Sequence, residues 1–365
     1  MKTYQIISAI LIAIVSCIST HAQQTKVLTA DKHNEYGLIY RLPTTALEIE
    51  VEAVHKIFKA GPYYQYAKKY IGSNDVILED YETWEIKSVD IRSFGIADTN
   101  EEYLMQLKSN SVTFLNVDEN GVLLAINNEI ELPQIVNKTP IELNPSSLDT
   151  KEFLKYVGGD FLASQSSIKR AHLLAEILME IRESKINLSR GTAETMPTDG
   201  YQLELMLKSL EKQEQALTDA FLGTVQTETV IKRFSFVPTD SNSQKQILFR
   251  FSDFAGFVDA NDYSGDPVYI SFDITHQGKL PRDEKGEVKR LPKDAVIYNI
   301  PGGANINLSF LGNTIFEQEF EFAQFGVKFG LNPNLFNSKK ERSFLILNPS
   351  TGGISELGII QSSGE

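Results

Sequence analysis

The feature that most constrains the fold is a segment of sequence that occurs twice, near the two ends of the chain. Residues 36–51 read YGLIYRLPTTALEIEV, and residues 295–310 read AVIYNIPGGANINLSF. In both copies an Ile-Tyr pair precedes a proline, and an alanine follows that proline three positions later. Each copy then alternates apolar and polar residues, which is the pattern of a strand with one buried face. The second copy is displaced by one residue, a difference that a β-bulge would absorb.

A hairpin signal follows each copy. The first hairpin is predicted at 112–117 and 122–126 around Asp-Glu-Asn-Gly, and the second at 344–348 and 354–357 around Pro-Ser-Thr-Gly-Gly. Both carry Leu-Asn before the turn and glycine within it. Two similar anchors in the same order favour an internal duplication over a chance similarity between two β-patterns.

Two segments between the copies have helical periodicity, at 165–185 and 201–222. Asp199 and Gly200 mark the start of the second helix, and Gly223 marks its end. The loop between them is short enough for an antiparallel pair. The predicted fold is therefore α+β and mostly β: two related antiparallel β units, sandwich-like, with an inserted antiparallel helical hairpin.

The sequence predicts five parts in chain order. They are a signal peptide (1–22), a flexible leader (23–34), an N-terminal β unit with one short helix (35–160), the helical hairpin (161–225) and a C-terminal β unit (226–365).

The first of these parts determines the expected location. The chain begins Met-Lys, runs apolar from Ile6 to Ile18 and then reads Ser-Thr-His-Ala, which predicts a secretory signal cleaved after Ala22. The sequence Ile-Val-Ser-Cys ending at Cys17 leaves a second interpretation open, a lipoprotein anchored through that cysteine. Both predict an exported protein, periplasmic or associated with the outer membrane. The apolar run is shorter than the about 20 residues of a membrane span, so we expect no transmembrane helix in the mature chain.

Charge and cysteine content exclude several classes of function. The net charge is −13 and no basic stripe is present, which argues against binding to nucleic acid or to an anionic lipid surface. Cys17 is the only cysteine, so a chain cleaved after Ala22 has no disulfide and no thiolate ligand. No two histidines have metal-ligand spacing, and the Asp-rich segment 259–266 departs from a calcium loop and resembles an Asx-rich turn. We therefore expect no metal and no cofactor.

Aromatic residues provide the first candidate site. Tyr63, Tyr66 and Tyr70 share one face of a short predicted helix, and Trp84, the only tryptophan, lies on the next predicted strand. Together they are candidates for binding a carbohydrate or an aromatic ligand. The alternative is that the helix packs on the sheet and leaves the tyrosine hydroxyls at its margin.

Acidic residues provide the second candidate site. Glu79, Asp80, Glu82 and Glu85 cluster around Trp84. Glycosidases use two carboxylates on opposite sides of a sugar, so these four residues are candidate catalytic groups. A solvated strand edge is the alternative interpretation.

One further acidic residue lies on an apolar helix face. Glu214 falls on the apolar stripe of the second long helix, while His172 and Arg182 lie on the first. A buried carboxylate needs a partner, so Glu214 is interpreted either as half of a hydrogen-bonded pair that fixes the helix register or as a tuned acid.

Several stretches together resemble one protein family. They are YGLIYRLP, GPYYQYAKKYIG, the strand reaching Trp84-Glu85-Ile86, the helical segment from Ile181 to Gly191, and FAQFG followed by LNPSTGG. This combination resembles the domain-of-unknown-function 4831 family of exported Bacteroidota proteins over nearly the whole mature chain. The resemblance implies export from a Gram-negative cell and implies no activity, ligand or catalytic residue.

The sequence leaves two functions open. The first is a non-catalytic interaction or scaffold module of the cell envelope with an envelope protein as partner, favoured because no catalytic constellation is recognisable. The second is an acidic carbohydrate-active hydrolase or glycan-binding protein that uses the acidic residues around Trp84.

Overall fold

A computed structural model describes residues 38–105, 113–132, 140, 150–239, 245–337 and 341–360. Strands account for 47% of the structure and helices for 23%, which confirms the mostly β, α+β prediction. The predicted signal peptide and leader lie outside the described residues.

Within the described residues, twelve strands form three antiparallel sheets. The strands are β1 (Leu38–Lys59), β2 (Tyr81–Met105), β3 (Leu115–Val117), β4 (Leu123–Ile126), β5 (Thr224–Phe236), β6 (Gln246–Ser252), β7 (Gly256–Val258), β8 (Asp266–His276), β9 (Val296–Phe310), β10 (Asn313–Leu331), β11 (Arg342–Leu347) and β12 (Ile354–Ile360). The first sheet has the order β2-β1-β5, the second β10-β9-β8-β6-β7 and the third β12-β11-β4-β3.

The helices include two long ones that form the predicted hairpin. The helices are α1 (Ala67–Tyr70), α2 (Gly159–Ala163), α3 (Ser167–Arg190), α4 (Gly200–Leu222) and α5 (Asn334–Asn337), with 3₁₀ turns at Tyr64–Tyr66 and Glu152–Tyr156. The Ser166 side chain caps α3 and the Asp199 side chain caps α4, each by accepting a backbone N–H of the first turn. In the part of the chain that the structure describes, no helix combines the length and apolarity needed to span a membrane.

Both copies of the repeat form the first strand of a long antiparallel hairpin, and both hairpins are interrupted at corresponding places. In the first, residues 98–101 of β2 lie opposite the single residue Leu42 of β1. In the second, residues 323–326 of β10 lie opposite Pro301 of β9. The bulge lies opposite the residue before the proline in the first copy and opposite the proline itself in the second. This difference of one residue corresponds to the displacement between the copies.

The turns that follow the copies are held by equivalent hydrogen bonds. The Arg41 N–H donates to the carbonyl of Gly121 at 2.8 Å, and the Asn299 N–H donates to the carbonyl of Gly352 at 3.0 Å. Both glycines have positive φ, 81° and 68°. Asp118 and Asn348 each accept backbone N–H groups of their own turn, so the structural counterpart of Asn348 is Asp118 and not the Asn of the Leu-Asn match.

The first and second sheets pack face to face over one apolar core. The predicted inward faces are confirmed, since Leu47, Ile49 and Val51 of β1 and Ile306 and Leu308 of β9 are fully buried in it. A second core lies between the third sheet and the outer ends of the two long hairpins. A third core lies within the helices.

Strands of the two predicted β units pair with each other across the predicted boundaries. β5 follows the helical hairpin but pairs with β1 from Leu47 to Lys59, so it completes the first sheet. β4 pairs with β11, which places both small hairpins in one sheet. The units are thus interlocked, because the first and third sheets each join strands from distant parts of the chain.

The helical hairpin confirms the hydrogen-bonded interpretation of Glu214. Arg182 Nε donates to Glu214 Oε1 and Lys185 Nζ donates to Glu214 Oε2, both at 2.8 Å. The Lys185 bond, with Arg182 as a smaller cause, holds the pKa of Glu214 below its usual value. On the same helix, burial raises the pKa of Asp219 to about 6, although the Gln215 amide partly opposes this.

The paired turn glycines provide a test of the interlocked repeat. A Cβ on Gly352 would lie 2.8 Å from Cδ of Pro43, whereas a Cβ on Gly121 would meet nothing within 4 Å. Both substitutions impose positive φ on alanine, at a cost of about 1 kcal/mol. We expect Gly121→Ala to lower the unfolding free energy by about this amount and Gly352→Ala by about 2–3 kcal/mol, because only the second also displaces Pro43. Urea unfolding of both variants measures the difference, and equal losses would contradict the packing of the second turn on the first copy.

Glu214 and Asp219, two of the carboxyl groups of α4, give opposite pH dependences. The Asp219 carboxylate ionises in the unfolded chain near 3.8 but in the native protein only near pH 6, so the native state is penalised above that range. We expect Asp219→Asn to raise the unfolding free energy by about 1–2 kcal/mol at pH 7.5 and to give almost no gain below pH 4. Thermal unfolding at both pH values measures this.

Glu214→Gln is the matched control on the same helix. The pKa of the Glu214 carboxyl is lowered in the native protein. The carboxylate therefore stabilises the protein at neutral pH, and this contribution is lost as the pH falls through the native pKa. The Gln variant should therefore melt lower than the parent at pH 7.5, and the gap should close on acidification. Parallel behaviour of the two variants would refute the assignment of these two environments.

Candidate functional site

Two of the residues that the sequence singled out meet at a histidine. Nδ1 of His55 lies 2.6 Å from Glu228 Oε1, and Nε2 lies 3.0 Å from Glu82 Oε2. The imidazole is stacked on Trp84, with ring centroids 4.1 Å apart and an interplanar angle of 9°. The four side chains form a compact polar cluster at one end of the sandwich core, which we call the His55 cluster.

The register of the first sheet explains this convergence. His55 is paired with Trp84 of β2 on one side and with Glu228 of β5 on the other. It follows Val51 and Ala53 on the inward face of β1 and is 7% exposed. Because each ring nitrogen faces a carboxylate oxygen, the His55 ring bridges Glu82 and Glu228.

The other two members of the cluster were missed by the sequence analysis. His55 could have been noticed, because it continues an otherwise apolar alternation on β1. Glu228 had no such signal, since it lies 173 residues from His55 along the chain. Only the pairing of β1 with β5 brings the two together.

The remaining predicted acidic residues do not join the cluster. Asp80 accepts hydrogen bonds from the Ala60 N–H at 2.9 Å and from Lys59 Nζ at 3.0 Å, and these bonds, the Ala60 bond first, lower its pKa. Glu85 lies 3.9 Å from Lys56 on the opposite face of the sheet, and Glu79 is exposed before β2 begins. The four predicted acidic side chains therefore lie at different places and do not form one site.

The predicted aromatic residues also separate into two places. Tyr63 is 8% exposed and packs edge-on against Phe153 and Phe161 in the helical core, with Tyr66 and Tyr70 beside it. Trp84 instead packs against the sandwich core. The tyrosines and the tryptophan therefore do not line one surface.

The contacts of Trp84 limit what the His55 cluster does chemically. His55 is stacked on the ring, and a Cβ on Gly256 would lie 2.6 Å from its Cδ2 atom, so the backbone of Gly256 also packs on the ring. Little of the ring is left as a platform for a sugar. Among the described residues, no group of three His, Cys, Asp or Glu side chains is placed to hold a metal ion. The geometry of the His55 cluster therefore fits a structural role, in which its side chains hold β1, β2 and β5 together.

A different region carries an open groove. This groove, of about 880 Å³, lies between β2 and the turn after β3, and we call it the N-terminal groove. Its lining residues are Ile39, Tyr40, Arg41, Phe94, Gly95, Ile96, Ala97, Thr99, Glu102, Asp118, Glu119, Asn120 and Gly121.

The walls of the N-terminal groove are partly apolar and partly acidic. Ile39 is 61% exposed and Ile96 is 44% exposed. Arg41 is the one basic residue among the lining residues, and its Nη2 pairs with Glu102 at 2.8 Å. The lining also contains Asp118 and Glu119, so carboxylates outnumber cations there. An apolar surface with excess negative charge suits a partner that is apolar and basic.

Comparison with known proteins identifies a family and no specific relative. A family model described as "Domain of unknown function (DUF4831)" matches residues 36–355. The matched range includes both copies of the repeat and the helical hairpin. No curated protein and no solved structure matches the chain.

The structural role of the His55 cluster predicts unequal effects of two charge removals. Glu228→Gln replaces a carboxylate that is 20% exposed and 2.6 Å from the imidazole, so we expect the unfolding free energy to fall by about 1–2 kcal/mol. Glu85→Gln removes a carboxylate that is 75% exposed, and it should change stability by less than about 0.5 kcal/mol. Chemical unfolding followed by the fluorescence of Trp84 measures both changes. An unchanged unfolding free energy in Glu228→Gln would disprove the structural role of the His55 cluster.

Proposed function

The chain belongs to the DUF4831 family, and we propose that this protein is a non-catalytic interaction module of the bacterial cell envelope. In this proposal the protein is exported, as the signal-peptide pattern at 1–22 supports, and it binds another envelope protein. The resemblance to exported Bacteroidota proteins supports the same location.

The observation that carries the proposal is the position of the N-terminal groove on a sheet edge. Among the described strands β2 pairs only with β1, so one side of its backbone faces away from the sheet. The groove lies at Phe94–Ala97 of this edge strand and at the turn ending in Gly121. Exposed sheet edges bind extended segments of partners through backbone hydrogen bonds, and adjacent pockets supply specificity.

The His55 cluster gives less support to the alternative of a carbohydrate-active hydrolase. Glu82 and Glu228 are both directed at the same imidazole, and Trp84 is covered by His55 and Gly256. A glycosidase needs two carboxylates with a sugar between them. In this structure a histidine lies between the two carboxylates.

Site-specific photocrosslinking in the cells that produce the protein tests the proposal. A benzophenone amino acid replaces Ile96 in the groove, Tyr201 on the helical hairpin, or Leu357 on β12, all of which are exposed. We expect irradiation to yield a discrete adduct of higher mass from at least one position, in the envelope fraction, with the partner identified by mass spectrometry. Unirradiated cells are the control. Adducts from none of the three positions, or a protein confined to the cytosol, would rule out the proposed function.

A further inference from the structure

In the C-terminal half of the protein, the bulge of β10 and the turn after β11 bind a segment of β1. The segment Pro43–Thr45 of β1 is lodged between the bulge of β10 and the turn after β11. Both hydrogen-bonding groups of the Thr45 backbone are bound by Gln324, whose Oε1 accepts from the N–H at 3.1 Å and whose Nε2 donates to the carbonyl at 2.9 Å. The Thr45 hydroxyl accepts from the Ala323 N–H and donates to the Ser350 carbonyl.

Asn299 completes this arrangement from the second copy of the repeat. Its Nδ2 donates to the carbonyl of Thr351 at 2.8 Å and lies 3.5 Å from the carbonyl of Pro43. We call the residues that surround Pro43–Thr45 the C-terminal clamp: Asn299, Ala323, Gln324, Ser350 and Thr351. The clamp binds an extended segment through its backbone and one small hydroxyl.

The counterparts of the C-terminal clamp line the N-terminal groove. Arg41 is the counterpart of Asn299, because both use their backbone N–H and one side-chain nitrogen to hold the turn that follows their copy. Thr99 occupies the bulge position of Gln324. Asn120 precedes Gly121 as Thr351 precedes Gly352. All three counterparts border the groove.

The chain does not fill this groove from within its described residues. In the second copy, Pro301–Gly303 corresponds to Pro43–Thr45. Gly303 is already paired with His276 of β8. A Cβ on Gly303 would lie 2.3 Å from the His276 ring, so this segment is committed to the second sheet. One clamp is thus closed by the first copy, whereas its counterpart opens to solvent.

We propose that the N-terminal groove binds an extended, positively charged segment of a partner protein in the manner in which the C-terminal clamp binds Pro43–Thr45. This inference rests on the proposed function and specifies its binding surface. The exposed Ile39 and Ile96 contact an apolar side chain of the segment, and Glu119 attracts its basic residue. A proline or threonine fits the narrow part between the turn and the bulge, as Pro43 and Thr45 do in the other half.

A peptide copied from the chain itself is the probe. The sequence RLPTTAL, residues 41–47, contains the segment that the C-terminal clamp holds together with one arginine. With blocked termini and a fluorescent label it is titrated with the purified full-length protein, and binding is followed by fluorescence polarisation. We expect saturable binding with a dissociation constant of about 10–500 μM, which is typical of a short flexible segment that must be ordered on binding.

Three variants and one altered peptide locate the site. Glu119→Lys, in an exposed turn position, should weaken binding by about 5-fold or more because it reverses the charge at the rim. Ile96→Trp fills the groove without changing its charge and should abolish binding. Glu284→Lys makes the same charge change on an exposed loop outside the groove and should leave binding unchanged. The peptide ELPTTAL should not bind. Circular dichroism and melting curves establish that each variant is folded.

Each outcome has a definite meaning. Loss of binding in Glu119→Lys and Ile96→Trp, with Glu284→Lys unaffected, supports the groove as the site. A dissociation constant weaker than about 1 mM, or binding that the groove variants do not change, overturns the inference. The proposed function fails separately, since it is tested by crosslinking at Tyr201 and Leu357 as well as at Ile96. Adducts from those two positions together with a negative peptide assay would retain the interaction module and reject the groove.

Discussion

The hydrogen bonds between Thr45 and Gln324 are the interaction on which the rest of the structure depends. Pro43 has no N–H, and the bulge in β2 interrupts the pairing of β1 at the same point. Thr45 is fully buried just after this interruption, where an unpaired backbone group is costly. The Gln324 amide supplies both an acceptor and a donor to the Thr45 backbone, as a neighbouring strand would. β10, the strand paired with the second copy, thereby completes the pairing of the first copy and joins the first sheet to the second.

Much of the secondary structure could be predicted because burial on one face leaves a regular trace in the sequence. The alternation of Leu47, Ile49 and Val51 predicted an inward face that the structure confirms, and the two capped helices follow from their periodicity and end signals. Pro43 lies within β1, although proline usually interrupts a sheet. The strand continues as one element since this part of β1 pairs on one side only, where a missing N–H is tolerated.

Alternation fails as a guide where a bulge changes the inward face. In β2 the register shifts between the partners of Glu52 and Ala53, so Lys87 lies between two alternations. Trp84 and Ile86 face the sandwich core before the shift, and Val89 and Ile91 face it afterwards, although simple alternation assigns the two pairs to opposite faces. The His55 cluster depends on this arrangement and on the distant β5, so a reading of local spacing could identify Trp84 and Glu82 but could not assemble the cluster around His55.

Arg41 and Asn299 occupy equivalent positions in the two copies of the repeat but differ in size and charge. Both residues hold the following turn through the same backbone bond and an equivalent side-chain bond. Asn299 is 3% exposed, and a short neutral amide suits a buried position where a guanidinium charge would need a partner. Arg41 is partly exposed, and Glu102 neutralises it at the rim of the groove. A long charged side chain is compatible with an open site and incompatible with a closed one, so the residue at this position distinguishes the copy that is completed internally from the copy that faces solvent.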